Sequence, residues 1–232
     1  MKNRTFYIFI IFVLFILGCQ TPMEKHNQKG IAYVRSGELT RAKKEFRKAI
    51  EIDPEYAPAH NNLGFLLYRE SIARRTPADS YLHLTNVQKQ SPSDAILVNK
   101  ALSHLQAALK YTAEDKIIRQ IRENLALLYT DTGIGADVRE PDWFKKGIEI
   151  YEILIQEEPN NPELHMRLGF AYFNVANPGG GFSELEKSSK LAQDRDTLWI
   201  HEEIERFYWR INFVSKAREE RKIIEALSKE TD

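Results

Sequence analysis

The sequence lacks a second cysteine and lacks an excess of charge of either sign. Its single cysteine, Cys19, cannot form an intramolecular disulfide, so the fold must be held by packing alone. Lys and Arg together number 33, and so do Asp and Glu, which leaves no positive surplus to attract nucleic-acid phosphates. With 43% apolar residues, the 232-residue chain can build a globular core, which excludes a disordered or collagen-like protein.

The first eighteen residues have the layout of a secretory signal peptide. Lys2 and Arg4 precede an apolar run from Phe6 to Leu17, and Gly18 and Cys19 follow it. The run is shorter than the roughly 20 residues that a membrane-spanning helix needs. A permanent transmembrane span is the alternative interpretation.

The end of this run, Ile16-Leu17-Gly18-Cys19, resembles the lipobox of bacterial lipoproteins. The resemblance implies that residues 1–18 are a signal peptide, that Cys19 is acylated, and that residues 19–25 are a lipid-anchored tether. More than one acyl chain on Cys19 would give stable anchoring. In such lipoproteins an Asp after the cysteine commonly marks inner-membrane retention. Gln20 stands there, which implies a cell-envelope protein on the outer membrane, facing the periplasm.

Two segments, Gly30-Ile31-Ala32-Tyr33 and Gly64-Phe65-Leu66-Leu67, lie 34 residues apart, and such a period indicates a solenoid of repeated units. Small residues around the first segment let two helices of a hairpin approach closely, while aromatic residues fill the space between them. A proline ends the second helix. The residues at these positions are Gly30, Tyr33, Ala42, Phe46, Ala49 and Pro54.

This pattern resembles the tetratricopeptide-repeat (TPR) family. The resemblance implies an all-α, right-handed solenoid of about ten antiparallel helices over residues 26–232. Later copies carry the structural positions Gly64, Ala101, Ala126, Tyr129, Gly169 and Tyr172. The repeats are expected at about 23–56, 57–113 with an insertion at 69–93, 116–159 with an insertion at 130–142, and 162–193, with a degenerate hairpin at 194–229. The large aromatic usual at the fourth position is replaced by His26, His60, Arg122 and His165, and we predict that the histidines pack between helices.

In this family the first helices of successive repeats line a concave groove. Carried over residue by residue, the groove consists of Asn27, Ile31, Val34, Asn61, Phe65, Tyr68, Arg69, Glu123, Leu127, Met166, Phe170 and Phe173. This apolar and aromatic set would suit an amphipathic helix or an extended peptide. The alternative is that neighbouring repeats or an inserted loop already cover these residues.

Chaperone-binding relatives hold a C-terminal carboxylate with a set of Lys and Asn side chains. The matching places here are Asn27, Ile31, Asn62, Gln120 and Asn124. No cation is among them, so recognition of a free chain end by that mechanism is not expected.

Length variation falls at the turns inside hairpins, in the insertions 69–93 and 130–142 and in Asn174 to Gly181. Such turns emerge along one edge of a solenoid, which makes this edge a candidate second binding surface. Sequence drift without function is the alternative. The insertion 69–93 contains enough apolar residues to pack locally.

The final segment, Thr197 to Lys229, is expected to form the last hairpin, with Trp199, Phe207 and Ile211 on one side. The charge run from Arg218 to Lys222 would be the polar outer face of a solenoid end. A charged partner-binding tail is the alternative.

Residues that could carry chemistry are few. His201-Glu202-Glu203 begins like a zinc-protease helix, but Glu205 stands where the second His is needed, and a solvated charge cluster is expected instead. The remaining histidines show no metal-ligand spacing, and Asn177 to Gly181 lacks the Lys-Ser/Thr of a phosphate loop. We therefore expect no enzyme, no catalytic residue, no cofactor and no metal.

The sequence favours a membrane-anchored adaptor of the cell envelope that binds one or more envelope proteins through its groove and its loop edge. Its expected partners are these proteins and, through lipid on Cys19, the membrane. Nucleic acid is not expected as a partner. A structural subunit of a pilus, secretion or outer-membrane assembly is the first alternative. An apolar small-ligand carrier is the second.

Overall fold

The structure is a computed structural model, and it describes residues 20–73, 92–132 and 142–229. Over this part of the chain it consists of ten α-helices and one short 3-10 helix, Arg195–Thr197, with no strand. The helices are α1 Pro22–Arg35, α2 Leu39–Ile52, α3 Ala57–Ala73, α4 Pro92–Lys110, α5 Asp115–Thr132, α6 Asp142–Glu157, α7 Pro162–Asn174, α8 Pro178–Leu191, α9 Leu198–Arg210 and α10 Val214–Lys229. None of these helices is both long enough and apolar enough to cross a membrane. The predicted signal peptide and Cys19 lie outside the described residues.

Consecutive helices pair into five antiparallel hairpins, α1–α2, α3–α4, α5–α6, α7–α8 and α9–α10, and each hairpin packs against the next. Buried apolar residues continue from one hairpin into the following one. Phe46, Leu63, Leu105 and Trp143 belong to one such cluster, and Leu185 belongs to another that reaches α10. The predicted all-α solenoid of about ten helices is confirmed.

The start of α1 corrects the predicted tether. Thr21 caps the helix, its hydroxyl oxygen accepting from the Glu24 backbone N–H while the Glu24 carboxylate accepts from the Thr21 N–H. This capping box, followed by Pro22 at the first helical position, fixes the helix start. Residues 22–25 are therefore the first turn of α1 rather than a tether, and the solenoid begins at residue 22 rather than 26.

The turns inside the hairpins differ in part from the predicted insertions. Residues 69–73 extend α3 and 130–132 end α5, while 74–91 and 133–141 lie outside the described residues. The segment Asn174 to Gly181 is not a long turn. The Asn177 side chain accepts from the Gly180 N–H and Pro178 follows it, so that α8 begins at Pro178.

The residues assigned to the structural positions, except Pro54 in the α2–α3 connection, lie between the helices of each hairpin. Ala42, Phe46, Ala49, Gly30, Gly64, Ala101, Ala126, Tyr129 and Gly169 are buried, Tyr33 and Tyr172 are half-buried, and Pro54 is exposed. A methyl group on Gly30 would overlap the Phe46 ring. One on Gly64 would lie 2.9 Å from Leu105 Cγ and 3.1 Å from the Ala101 carbonyl oxygen. Glycine at these positions permits the close approach of the two helices.

A candidate protein-binding groove

The twelve predicted groove residues lie on the first helices α1, α3, α5 and α7, but they are not equally accessible. Arg69 is exposed. Half-buried are Ile31, Val34, Phe65, Glu123, Leu127, Phe170 and Phe173. Buried are Asn27, Asn61, Tyr68 and Met166, each at most 4% exposed.

The four buried residues correct the groove prediction, because a buried side chain is not available to a ligand. For two of them the reason is a contact between successive first helices. Asn27 Oδ1 accepts a hydrogen bond from Asn62 Nδ2 at 2.9 Å, and Asn61 Oδ1 accepts one from Asn124 Nδ2 at 2.9 Å. These asparagines link α1 to α3 and α3 to α5, so neighbouring repeats cover them, as the alternative interpretation held.

A row of apolar side chains remains along the groove. Ile31, Phe65, Leu127 and Phe170 occupy equivalent places on four successive first helices and are all half-buried, which we call the apolar row. Ile31, Phe65 and Leu127 pack at their base against the core cluster that contains Phe46, and Phe170 packs against the cluster that contains Leu185. The Arg69 guanidinium lies 5.9 Å from the centroid of the Phe65 ring, and it brings a cation to the edge of the row.

The fifth first helix, α9, carries two exposed tryptophans that the predicted groove does not include. Trp199 is 39% exposed and Trp209 is 48% exposed, whereas Phe207 on the same helix is buried. Trp199 and Phe207, which were predicted to lie on one side of this helix, therefore differ in burial. Repeat register could have revealed one of them: with His201 aligned to His26 and His165, Trp209 falls at the place of Val34 and Phe173.

Phe170 and Phe173 belong to an aromatic cluster that joins α7 to α9. Their ring centroids lie 4.9 Å and 4.7 Å from that of Phe207. Phe173 also meets Phe182 edge-on at 4.9 Å, and its ring fills the space in which a methyl group on Gly181 would lie. Phe173 is therefore committed mainly to packing between hairpins.

At the fourth repeat position, where the family usually has an aromatic residue, three hairpins have a histidine that links their two helices by a polar contact. Nδ1 of His26, His165 and His201 lies 2.6 Å from a carboxylate oxygen of Glu45, Glu184 and Glu220, respectively. Each glutamate is on the second helix of the same hairpin, 19 residues further along the chain. The histidines thus connect the two helices, and we name these contacts the His–Glu pairs.

His201 is fully buried, so the expected solvated cluster at 201–203 is wrong for this residue. Its Nε2 lies 2.6 Å from the carbonyl oxygen of Ala192, which can only accept. Burial alone would lower the pKa of His201, but the hydrogen bonds to Glu220 and to the Ala192 carbonyl outweigh it and raise the pKa. In hairpin α5–α6, Arg122 takes the place of histidine and donates to Glu157 at 2.6 Å.

No group of three or more His, Cys, Asp or Glu side chains suited to a metal ion occurs within the described ranges. A cleft of about 580 Å³ lies between the α6–α7 connection and the start of α9. Glu158, Glu163 and two asparagines contribute to its lining beside Trp199. This mixed lining differs from the apolar pocket that a small-ligand carrier needs.

Comparison with known proteins agrees with the architecture. Residues 30–70 match a family model described as a TPR repeat. A search of the curated proteins finds no match. Among solved structures, MamA from Desulfovibrio magneticus RS-1 is similar with a TM-score of 0.59 and 12% identity over 93% of this chain and 99% of that one.

Two further solved structures are similar over most of the chain. One, described as a functional characterization of Pseudomonas aeruginosa pilF, has a TM-score of 0.57 and 17% identity over 89% of this chain and 76% of that one. The other, a thermophilic TPR protein of Thermus thermophilus, has a TM-score of 0.57 and 16% identity over 89% of this chain and 92% of that one. At these identities the likeness shows a shared fold.

Proposed function

Since the chain is a tetratricopeptide-repeat protein by its match at residues 30–70 and by its fold, we propose that it is a membrane-anchored protein-interaction adaptor of the bacterial cell envelope. The solenoid would hold an envelope protein in its groove, and lipid on Cys19 would hold the solenoid at the outer membrane, facing the periplasm. No catalytic step is part of this proposal.

The observation that carries the proposal is the apolar row together with Trp199 and Trp209. Protein-binding hot spots are rich in Trp and Arg and centre on side chains that become buried on binding. Both tryptophans are exposed, and Arg206 and Arg210 are exposed on the same helix. A partner segment with a bulky apolar face would bury these rings.

The membrane part of the proposal is supported by the sequence and by where α1 begins. Only Gln20 and Thr21 separate Cys19 from Pro22. Three residues span about 10 Å when extended, so an acyl group on Cys19 would keep hairpin α1–α2 close to the lipid surface.

The test is capture of envelope proteins from native membranes by the full-length chain after chemical crosslinking, with mass spectrometry as the readout. We expect a short list of partners that is lost in Cys19→Ala, which should also fail to incorporate labelled palmitate. We expect the same partners to be depleted at least several-fold in Trp199→Ala with Trp209→Ala.

The matched control is Ile96→Ala with Ile153→Ala. These isoleucines are as exposed as the tryptophans, at 55% and 41%, but they lie on the second helices α4 and α6. Equal loss of partners in the two double variants would count against the groove.

A permanent subunit of an envelope assembly is a second candidate, which one observation favours. Val175 and Phe213 are exposed at the turns inside hairpins α7–α8 and α9–α10, on the edge predicted as a second surface. A fixed neighbour along this edge would cover both. Co-purification in constant stoichiometry, abolished by Val175→Ser with Phe213→Ser but not by the tryptophan variants, would support it.

A further inference from the structure

One hairpin departs from the His–Glu pattern. His60 stands on α3 where His165 stands on α7, and its Nε2 likewise lies 2.9 Å from a backbone carbonyl oxygen, that of Pro54. Its partner on the second helix is not a glutamate but His104, and the two Nδ1 atoms are 3.0 Å apart. Hairpin α3–α4 is therefore closed by two imidazoles where three other hairpins have an imidazole and a carboxylate.

The hydrogen bonds determine the protonation of this contact. The Pro54 carbonyl oxygen can only accept, so Nε2 of His60 must carry a hydrogen. In a neutral His60 the Nδ1 atom is then an acceptor, and His104 must donate from its own Nδ1. Two neutral rings thus share one proton. A proton added at Nδ1 of His60 would make two donors face each other and break the contact, and one added at Nε2 of His104 would place a positive charge within the contact.

The surroundings disfavour positive charge on the pair. His60 is 8% exposed and His104 is half-buried, and Arg47 on α2 is a nearby cation. Burial, followed by the charges of His60 and Arg47, lowers the pKa of His104 to about 4. Within the described part of the chain, neither ring has a carboxylate as a hydrogen-bond partner.

Other titratable groups face this contact from neighbouring elements. The Tyr111 ring, at the end of α4, has its centroid 6.1 Å from that of His60, and Lys110 lies over that ring. Tyr56 lies one helical turn before His60, and its backbone carbonyl oxygen accepts from the His60 N–H. Burial and then the charge of Glu24 on α1 raise the pKa of the Tyr56 phenol.

Acid therefore affects the hairpins differently. Because the pKa of His104 is lowered in the folded state, the opened hairpin α3–α4 binds a proton that the closed one excludes. The stability of this hairpin is complete above about pH 6.5 and falls as the pH drops towards about 4. The pKa of His201 is raised instead, so acidification over the same range removes no stability from hairpin α9–α10 through His201.

We propose that the His60–His104 contact is a pH-sensitive switch, which holds α3 against α4 while both rings are neutral and releases them on acidification while the hairpins with His–Glu pairs stay closed. Because α3 carries Phe65 and Arg69, release would disturb the middle of the groove. Only this effect on the groove rests on the proposed function.

The first test is amide hydrogen exchange of the purified chain lacking residues 1–18, corrected for intrinsic exchange rates, between about pH 6.5 and about pH 4.5. We expect protection in 57–73 and 92–110 to fall by up to about tenfold per pH unit while 162–191 keeps its protection. Equal losses in all hairpins would overturn the proposal.

Two substitutions make the test specific. His104→Glu recreates the pair of the other hairpins, and we expect it to abolish the acid-dependent loss of protection in α3 and α4. His104→Gln can still donate an N–H to His60 but does not titrate, and it should also abolish the loss. If both variants open in acid as the wild-type chain does, the proposal fails.

A second measurement needs no variant. In an NMR titration of the wild-type imidazoles with a chelator present, His104 should remain neutral well below the ordinary histidine range. Titration near about pH 6.5 would overturn the proposal. So would a rise in protection at neutral pH on adding equimolar Zn²⁺, because the pair would then be a metal site. None of these readouts involves a partner protein, so they can fail or succeed independently of the groove.

Discussion

The Nδ1 atom of His201 lies 2.6 Å from the carboxylate of Glu220, and its Nε2 atom lies 2.6 Å from the carbonyl oxygen of Ala192. The imidazole ring is completely buried. TPR repeats usually carry a large aromatic side chain at this place. Here a hydrogen-bonded ion pair connects the two helices of the hairpin instead, and the same substitution recurs with His26 and His165. The contact gives hairpin α9–α10 a stability that depends on pH.

His201→Gln should lower the free energy of unfolding by about 1–3 kcal/mol near pH 6, because it leaves the buried Glu220 carboxylate without its charged donor. The pKa of His201 is raised in the folded state, so the contribution of the pair is complete below about pH 6.5 and is lost as the pH rises through the folded-state pKa. Urea unfolding at about pH 6 and about pH 9 measures the difference. Glu202→Gln, at an exposed neighbouring position, is the control. A deficit that is the same at both pH values would contradict this account.

Gly64→Leu should cost at least about 1–3 kcal/mol of stability, since its side chain would be forced against Leu105 and the Ala101 carbonyl. The matched control is Gly179→Leu in the first turn of α8, where an added Cβ meets nothing within 4 Å. Thermal unfolding of the two variants gives the comparison. Similar melting temperatures for Gly64→Leu and the wild type would argue against close packing of α3 on α4.

Ala176→Gly should raise stability by roughly 0.5 kcal/mol, because Ala176 has a φ of 56°, where an L side chain is strained. The equivalent turn of the first hairpin has Gly37 with a φ of 78°, so Gly37→Ala should be destabilising by a similar or larger amount. Denaturant midpoints of the two variants should move in opposite directions. If both midpoints shift in the same direction, backbone strain at this turn does not determine the change in stability.

Phe173→Ala should destabilise the protein by about 3 kcal/mol, because Phe173 packs against Phe182, Phe207 and the space above Gly181. Trp209→Ala should cost about 1–2 kcal/mol, since Trp209 is 48% exposed and Glu205, which accepts from its indole N–H, keeps Arg221 as a donor. Urea unfolding distinguishes them. Partner-binding tests should therefore use Trp209→Ala and not Phe173→Ala. If Trp209→Ala loses as much stability as Phe173→Ala, this prediction is wrong.

Much of the fold could be predicted because its determinants are local in sequence. Six residues from Gly30 to Pro54 occupy repeat positions; five have a direct packing reason, and Pro54 keeps the second helix from continuing. The errors were at helix ends. The glycines after Pro178 suggested a flexible turn, but the Asn177 cap and the proline outweighed them and began a helix there.

The groove was harder to predict because accessibility depends on how hairpins stack. The apolar row followed from repeat register, but the burial of Asn27 and Asn61 results from hydrogen bonds between different hairpins. The exposure of Trp199 was not predicted because the fifth hairpin carries few repeat residues, and the His–Glu pairs became visible only when the two helices were placed side by side. Acylation of Cys19 stays a prediction, since that residue lies outside the described part of the chain.

The most direct test of the adaptor proposal is photocrosslinking in native membranes. A photoreactive amino acid would replace Phe65 or Leu127 in the apolar row, or, as controls, Ile96 or Ile153 on the second helices. We expect the two groove positions to crosslink to the same envelope protein and the two control positions to give no such crosslink. Crosslinks from the controls with none from the groove would contradict it.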